Sequence, residues 1–158
     1  MAVRVDKTEK KKTHWKFYLP SADLDVQKML CMNGHKVSFV FDSDWDIALF
    51  VGGPDVCPML YGEMMHSTTF CNIKRDLDEV SAFKAMHHTK MKVGICRGAQ
   101  LLNVLSGGRL WQHVNGHNVE AGHKMKIYDS KTDFVSVSSR HHQMMIPSSE
   151  GWVVGTAK

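Results

Sequence analysis

A cysteine that stands between two glycines constrains this chain more than any other feature. Gly94 and Gly98 flank Cys96 at two residues on each side, which is the spacing of the G-x-S-x-G nucleophile elbow with cysteine in place of serine. In such a turn the nucleophile has a strained backbone, and the residues at both flanking positions must be small. The pattern predicts a strand, a sharp turn that exposes the thiol, and a helix. A buried, inert cysteine is the alternative, because free cysteines are among the most buried residues.

The segments on either side of the turn agree with the elbow prediction. Residues 92–95 are a short, mainly apolar segment that predicts a strand, and Gly107 and Gly108 close the helix that follows. Helical spacing is shown by four apolar residues, namely Leu101, Leu102, Val104 and Leu105. A thiol at a helix N-terminus lies near unpaired N–H groups, and Arg97 adds a positive charge. Both effects are expected to favour the thiolate.

Upstream of the turn, strand and helix patterns alternate. Strands are predicted at three segments, residues 15–19, 37–41 and 47–51. A helix is predicted between a cap at Ser21 and a stop at Gly34, and another opens at residues 75–79 with Asp76 as its cap. The continuous apolar run at 47–51 is typical of a central parallel strand. This order predicts an α/β domain with three layers and a mostly parallel central sheet.

Downstream of the turn, the pattern changes to strands alone. Four short strands are predicted, at residues 110–114, 125–128, 134–138 and 152–156. Residues 129–133 would join the middle two as a hairpin that flanks the site, and residues 139–143 would form a polar loop.

A glycine-rich loop follows the predicted central strand. Gly52, Gly53 and Pro54 come directly after residues 47–51, and open α/β sheets place their ligand sites at the carboxyl ends of strands. Two glycines allow backbone N–H groups to face a ligand without a Cβ in the way. A plain turn is the alternative, and the pairing with the elbow favours the binding loop.

Length and charge indicate one globular domain with a basic tail. The chain has 158 residues, 43% of them hydrophobic, and a net charge of +4 that is concentrated near its start. We predict a basic flexible tail at residues 1–13 and a single domain at 14–158. Because no aromatic residues are interleaved with the lysines, nucleic acid is not expected as a partner. No apolar run approaches the ~20 residues of a membrane span and no signal peptide is recognisable, so a cytoplasmic location without membrane association is expected.

The cysteines and histidines do not form a metal-binding pattern in the sequence. The four cysteines are widely spaced without a C-x-x-C pair, so they are interpreted as reduced thiols. His113, His117 and His123 raise the possibility of zinc, but the chain has no paired cysteines, and loop histidines near glycines are usually exposed to solvent. The sequence therefore predicts no metal and no cofactor.

Four segments occur in an order that resembles a known superfamily. They are GGPDVCPMLYGE, RDLDE, GICRGAQLLNVLSGGRLWQHV and SSRHHQ, within residues 46–158. In these the chain resembles the class I glutamine amidotransferases, and within them the gamma-glutamyl-gamma-aminobutyrate hydrolase and folate gamma-glutamyl hydrolase branch. The resemblance implies a flavodoxin-like α/β fold. It also implies hydrolysis of gamma-glutamyl amides or glutamine through a thioester, without a cofactor.

The same resemblance implies roles for five residues. Cys96 would be the nucleophile, and the backbone N–H groups of Gly53 and Arg97 would form the oxyanion hole. Acyl transfer needs two donors where negative charge develops, and one normally comes from the residue after the nucleophile. Gln100 and His141 would contact the substrate.

The chain departs from the resemblance in one respect. In the family, the general base and its carboxylate come from a later HPE-type motif, whereas this sequence contains no H-x-E and stops at Lys158. The domain is therefore expected to be incomplete at its C-terminal side, with an open sheet edge that another copy or a partner would cover. Three accounts stay open: a fragment whose missing part carries the base, a base recruited from His141 or His142, or a binding or scaffold domain without catalysis.

Overall fold

A four-stranded parallel sheet forms the centre of the molecule. The computed structural model describes residues 13–42, 44–128 and 134–157. The strands are β1 (Lys16–Tyr18), β2 (Lys36–Ser38), β3 (Ile47–Phe50) and β4 (Met91–Gly94), in the spatial order β2-β1-β3-β4. Every neighbouring pair in this sheet is parallel. The predicted α/β fold with a mostly parallel sheet is confirmed.

Three helices cover the two faces of the sheet: α1 (Leu24–Met32), α2 (Ile73–Ala85) and α3 (Arg97–Leu105). Successive residues of a strand point to opposite faces. One core cluster contains Ala48 and Phe50 with residues of α2 and α3, and the other contains Leu49 with residues of α1. The sheet therefore lies between α1 on one side and the pair α2 and α3 on the other.

The first helix begins later than the sequence predicted. Asp23 is its N-cap, and the side chain accepts hydrogen bonds from the N–H groups of Asp25 (3.1 Å) and Val26 (3.0 Å). The prediction that Ser21 caps this helix was wrong, because the Ser21 hydroxyl donates to Glu79 Oε1 at 2.5 Å. Gly34 has a positive φ of 79° just after the helix end, as expected for a C-terminal stop.

The second helix begins earlier than the sequence predicted. Asn72 is the N-cap, and its side chain accepts from the Arg75 N–H at 3.1 Å. The prediction of Asp76 as the cap was wrong, since Asp76 lies within the helix and is fully buried together with Glu79. A local capping pattern could not distinguish these positions, because Asn and Asp are both favoured caps.

Two small antiparallel sheets follow α3. The first pairs β5 (Arg109–Trp111) with β8 (Met144–Ile146), and the second orders its strands β7-β6-β9. The bounds of these three are β6 Asn118–Ile127, β7 Val135–Arg140 and β9 Gly155–Ala157. β6 and β7 are longer than predicted, and β8 was not predicted. The predicted loop at residues 139–143 is wrong at its start because β7 continues to Arg140.

Some predictions lie outside the described residues. These are the basic tail up to residue 12 and the hairpin turn at residues 129–133. In the described part of the chain, no helix has the length and apolar character needed to cross a membrane.

Candidate active site

Cys96 lies in the turn between β4 and α3 with an unusual backbone. Its φ is 53° and its ψ is −118°, and among the described residues it is the one non-glycine residue with positive φ. Such a conformation is strained for an L-residue and concentrates at functional sites. The thiol is exposed, and the Cys96 carbonyl accepts from the N–H groups of Ala99 (3.0 Å) and Gln100 (3.2 Å). The elbow geometry that the sequence predicts is present.

The two flanking glycines are required by close packing. A Cβ at Gly94 would lie 2.4 Å from the Ala99 nitrogen, because the chain folds back on itself. A Cβ at Gly98 would lie 2.0 Å from the carbonyl oxygen of Phe50, which belongs to the central strand. Both contacts are with backbone atoms, which cannot move away cheaply. The G-x-C-x-G spacing therefore follows from the packing of α3 against the sheet.

Gly98→Ala is expected to lower the free energy of unfolding by about 1–3 kcal/mol, the usual range for overpacking. The added methyl must displace either α3 or the Phe50 carbonyl. Urea denaturation followed by circular dichroism measures the change. Gly52→Ala is the matched control, since a Cβ there meets its nearest neighbour, the Cys96 Cβ, at an ordinary 3.8 Å. Equal midpoints for the two variants would contradict the packing account.

The glycine-rich loop lies across from the nucleophile. A Cβ added to Gly52 would lie 3.8 Å from the Cys96 Cβ, so the two backbones run side by side. Gly53 has a φ of 147°, a conformation that L-residues rarely adopt. Among the described residues, the N–H groups of Gly53 and Arg97 donate to no other group. Both are therefore free to donate to a ligand, as an oxyanion hole requires.

The side chain of Arg97 does not lie near the thiol as a free charge. It is 2% exposed, and its guanidinium pairs with the carboxylates of Asp76 and Glu79 beneath the elbow. The expectation that Arg97 supplies a positive charge to Cys96 was wrong, because two carboxylates compensate that charge. Arg97 instead anchors the start of α3 to α2 through a charged pair on each side of the guanidinium.

Arg75 extends the same buried network to the glycine-rich loop. Its Nε donates to Glu79 Oε1 at 3.0 Å, and its Nη2 donates to the Gly52 carbonyl at 2.9 Å. A Cβ at Gly53 would lie 2.1 Å from Arg75 Nη1, so the guanidinium packs directly against this loop. This role of Arg75 was not predicted from the sequence. The i,i+4 spacing of Arg75 and Glu79 is the signal that could have indicated it.

Gln100 and His141 meet at one carbonyl group. Gln100 Nε2 donates to the Gln143 carbonyl at 3.4 Å, and His141 Nδ1 contacts the same oxygen at 2.9 Å. The two residues that are predicted to contact the substrate therefore both hydrogen-bond to the loop that contains Gln143, beside the first turn of α3. The Gln143 side chain is 1% exposed, so the loop is anchored in the protein interior.

Other histidines surround this loop. His142 Nε2 contacts Asp55 Oδ1 at 3.1 Å, which connects the loop to the glycine-rich segment. The rings of His117 and His141 are 5.1 Å apart, and those of His117 and His123 are 4.9 Å apart. Burial and the neighbouring His141 and His123 lower the pKa of His117. The His113 ring stacks on His66 and lies 6.0 Å from the His142 ring, whereas His117 and His123 contact each other, so the three histidines considered for zinc do not form one cluster among the described residues.

Comparison with known proteins identifies the family. The model of the Peptidase C26 family matches residues 41–157, which include the glycine-rich loop, the elbow and the histidine loop. The chain belongs to the Peptidase C26 family. This family is of the class I glutamine amidotransferase-like kind.

This Peptidase C26 chain is similar to several curated bacterial proteins. It is 29% identical over 138 residues to Protein NtpR of Enterococcus hirae, covering 74% of this chain and 58% of NtpR. It is 43% identical over 72 residues to the glutamine amidotransferase-like protein YvdE homolog of Lactococcus lactis, covering 44% and 38% respectively. A candidate glutamine amidotransferase of Mycobacterium tuberculosis is 30% identical over 154 residues, covering 86% of this chain and 47% of that protein. The chain spans about half the length of the curated relatives it matches.

A solved structure supports the fold of this Peptidase C26 chain. The crystal structure of SMU.1228c aligns with a TM-score of 0.57, covering 91% of this chain and 68% of that one. Since the sequence identity is 19%, this likeness concerns the fold alone.

Proposed function

We propose that this chain carries the nucleophile of a hydrolase that acts on gamma-glutamyl amides or glutamine and releases glutamate and an amine. The observation that supports the proposal most directly is the backbone of Cys96. A φ of 53° in a strand-to-helix turn presents an exposed thiol opposite the glycine-rich loop. A strained nucleophile with facing N–H donors is the arrangement that acyl transfer needs.

The proposed reaction proceeds in two steps. The Cys96 thiolate attacks the gamma-carbonyl carbon, and the N–H groups of Gly53 and Arg97 stabilise the negative charge on oxygen. The C–N bond then breaks, the leaving nitrogen takes up the proton that the Cys96 thiol had lost, and a thioester stays on Cys96. Water hydrolyses this thioester to release glutamate and the free thiol. Neither step needs a metal or a cofactor.

We place Gln100 and His141 at the substrate as binding residues. The Nδ1 of His141 is committed to the Gln143 carbonyl, so the opposite ring nitrogen is the one that can face a ligand. Of the two adjacent loop histidines, His142 has the carboxylate partner that typically orients a general base. His142 is therefore the better candidate for proton transfer within this chain, and His141 the better candidate for contact.

Affinity labelling with a glutamine-derived diazo-ketone tests the proposal. We expect one adduct per chain at neutral pH, located on Cys96 by peptide mass spectrometry, because the label alkylates a cysteine that its glutamine-like part has first bound. Cys31→Ala should label normally, since that exposed thiol lies on α1. The absence of an adduct on Cys96, or equal labelling of Cys31 in the unsubstituted chain, would contradict the proposal that Cys96 is the nucleophile of a hydrolase.

The competing function is a ligand-binding or scaffold domain without catalysis. Under that alternative, glutamine binds measurably by calorimetry while no adduct and no release of amine are observed. Labelling together with release of at least one equivalent of amine favours the hydrolase. The two measurements therefore separate the two classes.

The proposal includes a protein partner at the edge of the central sheet. Within the described residues, β4 pairs on one side alone, with β3. Met91, Val93 and Ile95 are exposed along this segment. Unpaired edges with apolar side chains favour association, so a second copy or another chain is proposed to cover β4.

A further inference from the structure

Two thiols that take no part in the proposed reaction lie close together beside the buried network. Cys57 precedes a 3₁₀ turn at Pro58–Tyr61, and Cys71 directly precedes the cap of α2. The Sγ atoms of both residues and a carboxylate oxygen of Asp76 lie within 4.8 Å of one another. Cys57 and Asp76 are buried, and Cys71 is partly exposed. Three atoms that commonly bind metals thus surround one point that solvent can reach.

Backbone hydrogen bonds hold these atoms in place. Asp55 and Cys71 form a parallel bridge, in which the Asp55 N–H donates to the Phe70 carbonyl at 2.9 Å. The Phe70 N–H in turn donates to Asp55 Oδ2 at 2.9 Å. On the other side, the Cys57 N–H donates to Asp76 Oδ2 at 2.9 Å. The three side chains are therefore held in position before any ligand binds, which lowers the conformational-entropy cost of binding.

From this geometry we propose that Cys57, Cys71 and Asp76 form a binding site for a thiophilic divalent cation of the Zn²⁺ type. Two sulfur ligands and one carboxylate are a donor set that suits Zn²⁺ and not Mg²⁺ or Ca²⁺, which select oxygen ligands. Three protein ligands leave a fourth tetrahedral position for water on the exposed side of Cys71.

The surrounding charges are compatible with this cation. Arg97 and Arg75 already balance the charges of Asp76 and Glu79. When a divalent cation replaces the two thiol protons, the net buried charge does not change, which avoids the penalty of an uncompensated ion. An ionised carboxylate has about four lone-pair positions, so Asp76 can bind a cation while it keeps Arg97 and the Cys57 N–H.

The consequence of binding is local. The cation would join the loop after β3 to the start of α2, close to the segment that carries Gly53. It would act on stability and on the position of this loop, and it would not touch the reacting atoms. The sequence does not indicate the site, because thirteen residues separate the two cysteines and four more separate Cys71 from Asp76.

Cobalt and zinc titrations of the full 158-residue chain test the proposal. We expect one equivalent of Co²⁺ to produce tetrahedral visible absorption and a near-ultraviolet sulfur-to-cobalt band, both abolished by Zn²⁺. Removal of a ligand should weaken Co²⁺ binding by at least about 10–100-fold. Substitution of residues that only hydrogen-bond to metal ligands already causes a loss of this size. Cys57→Ser and Cys71→Ser should show this loss. Zn²⁺ should raise the thermal unfolding midpoint of the unsubstituted chain and not of these variants.

The control variants are Cys31→Ser and Cys96→Ser, which should bind Co²⁺ like the parent chain. Unchanged binding in Cys71→Ser, or loss of binding in Cys96→Ser, would overturn the proposal. A Cys57–Cys71 disulfide in the freshly purified protein would overturn it in favour of a redox pair. If the buried Cys57→Ser variant fails to fold, the partly exposed Cys71→Ser variant decides the outcome. Co²⁺ binding is also measured in Cys96→Ser, which lacks the nucleophile. Failure of the metal-site proposal can therefore be distinguished from failure of the proposed hydrolase.

Discussion

Cys96→Ala is expected to eliminate the release of amine from gamma-glutamyl amides, including the first equivalent per chain. Loss of a catalytic nucleophile typically lowers turnover by about 10⁴–10⁶-fold, because no covalent intermediate can form. Among the described cysteines, Cys96 is the one with a strained backbone opposite free N–H donors. Rapid-quench measurement of amine release at saturating substrate, with mass spectrometry of the acylated chain, checks this result.

Cys31→Ala is the matched control for this measurement. Cys31 is also an exposed thiol, but it lies on α1, on the opposite face of the sheet from α3. The control should release amine and accumulate the thioester like the parent chain. Amine release that survives in Cys96→Ala would show that the elbow is not the reacting centre.

Arg97→Met is expected to lower the free energy of unfolding by about 3–5 kcal/mol, the usual effect of removing one partner from a buried ion pair. Methionine fills a similar volume but leaves Asp76 and Glu79 as buried carboxylates without their shared cation. Native domains of this size are stable by about 5–15 kcal/mol, so the variant would be close to unfolding. Urea denaturation at neutral pH measures the change.

Lys74→Met is the matched control for a charged pair at the surface. Lys74 pairs with Asp78 at 2.7 Å, but both side chains are largely exposed. Such pairs contribute about 0–1 kcal/mol, since water screens them and holding long side chains together costs entropy. Similar destabilisation by the two substitutions would mean that the Arg97 pair is not desolvated as the structure indicates.

The sequence was most informative where one local conformation determines the pattern. Gly94, Cys96 and Gly98 predicted the elbow because the turn itself excludes side chains at two fixed offsets. The central strand β3 was predicted for a similar reason, since a strand buried on both faces must be apolar throughout. The resemblance implied substrate-contact roles for Gln100 and His141 and said nothing of their relative positions, whereas the structure places both side chains at the Gln143 carbonyl.

The sequence was least informative where contacts join distant segments. Arg97 lies 21 residues from Asp76 and 18 from Glu79, so no periodicity reveals that its side chain turns inward. The approach of Cys71 to Cys57 depends on tertiary contacts such as the bridge between Asp55 and Cys71, which joins two loops. β8 was missed because its pairing with β5 crosses more than thirty residues of chain. Each of these features depends on tertiary packing, which local propensity does not contain.

The buried carboxylate of Glu79 has a consequence for motion at the site. It receives hydrogen bonds from Ser21, Arg75 and Arg97, which belong to three different segments of the chain. Arg75 in turn holds the Gly52 carbonyl. If the glycine-rich segment were to swing outward, Arg75 would lose this hydrogen bond. This part of the site is therefore held in place by the charged network and does not act as a lid.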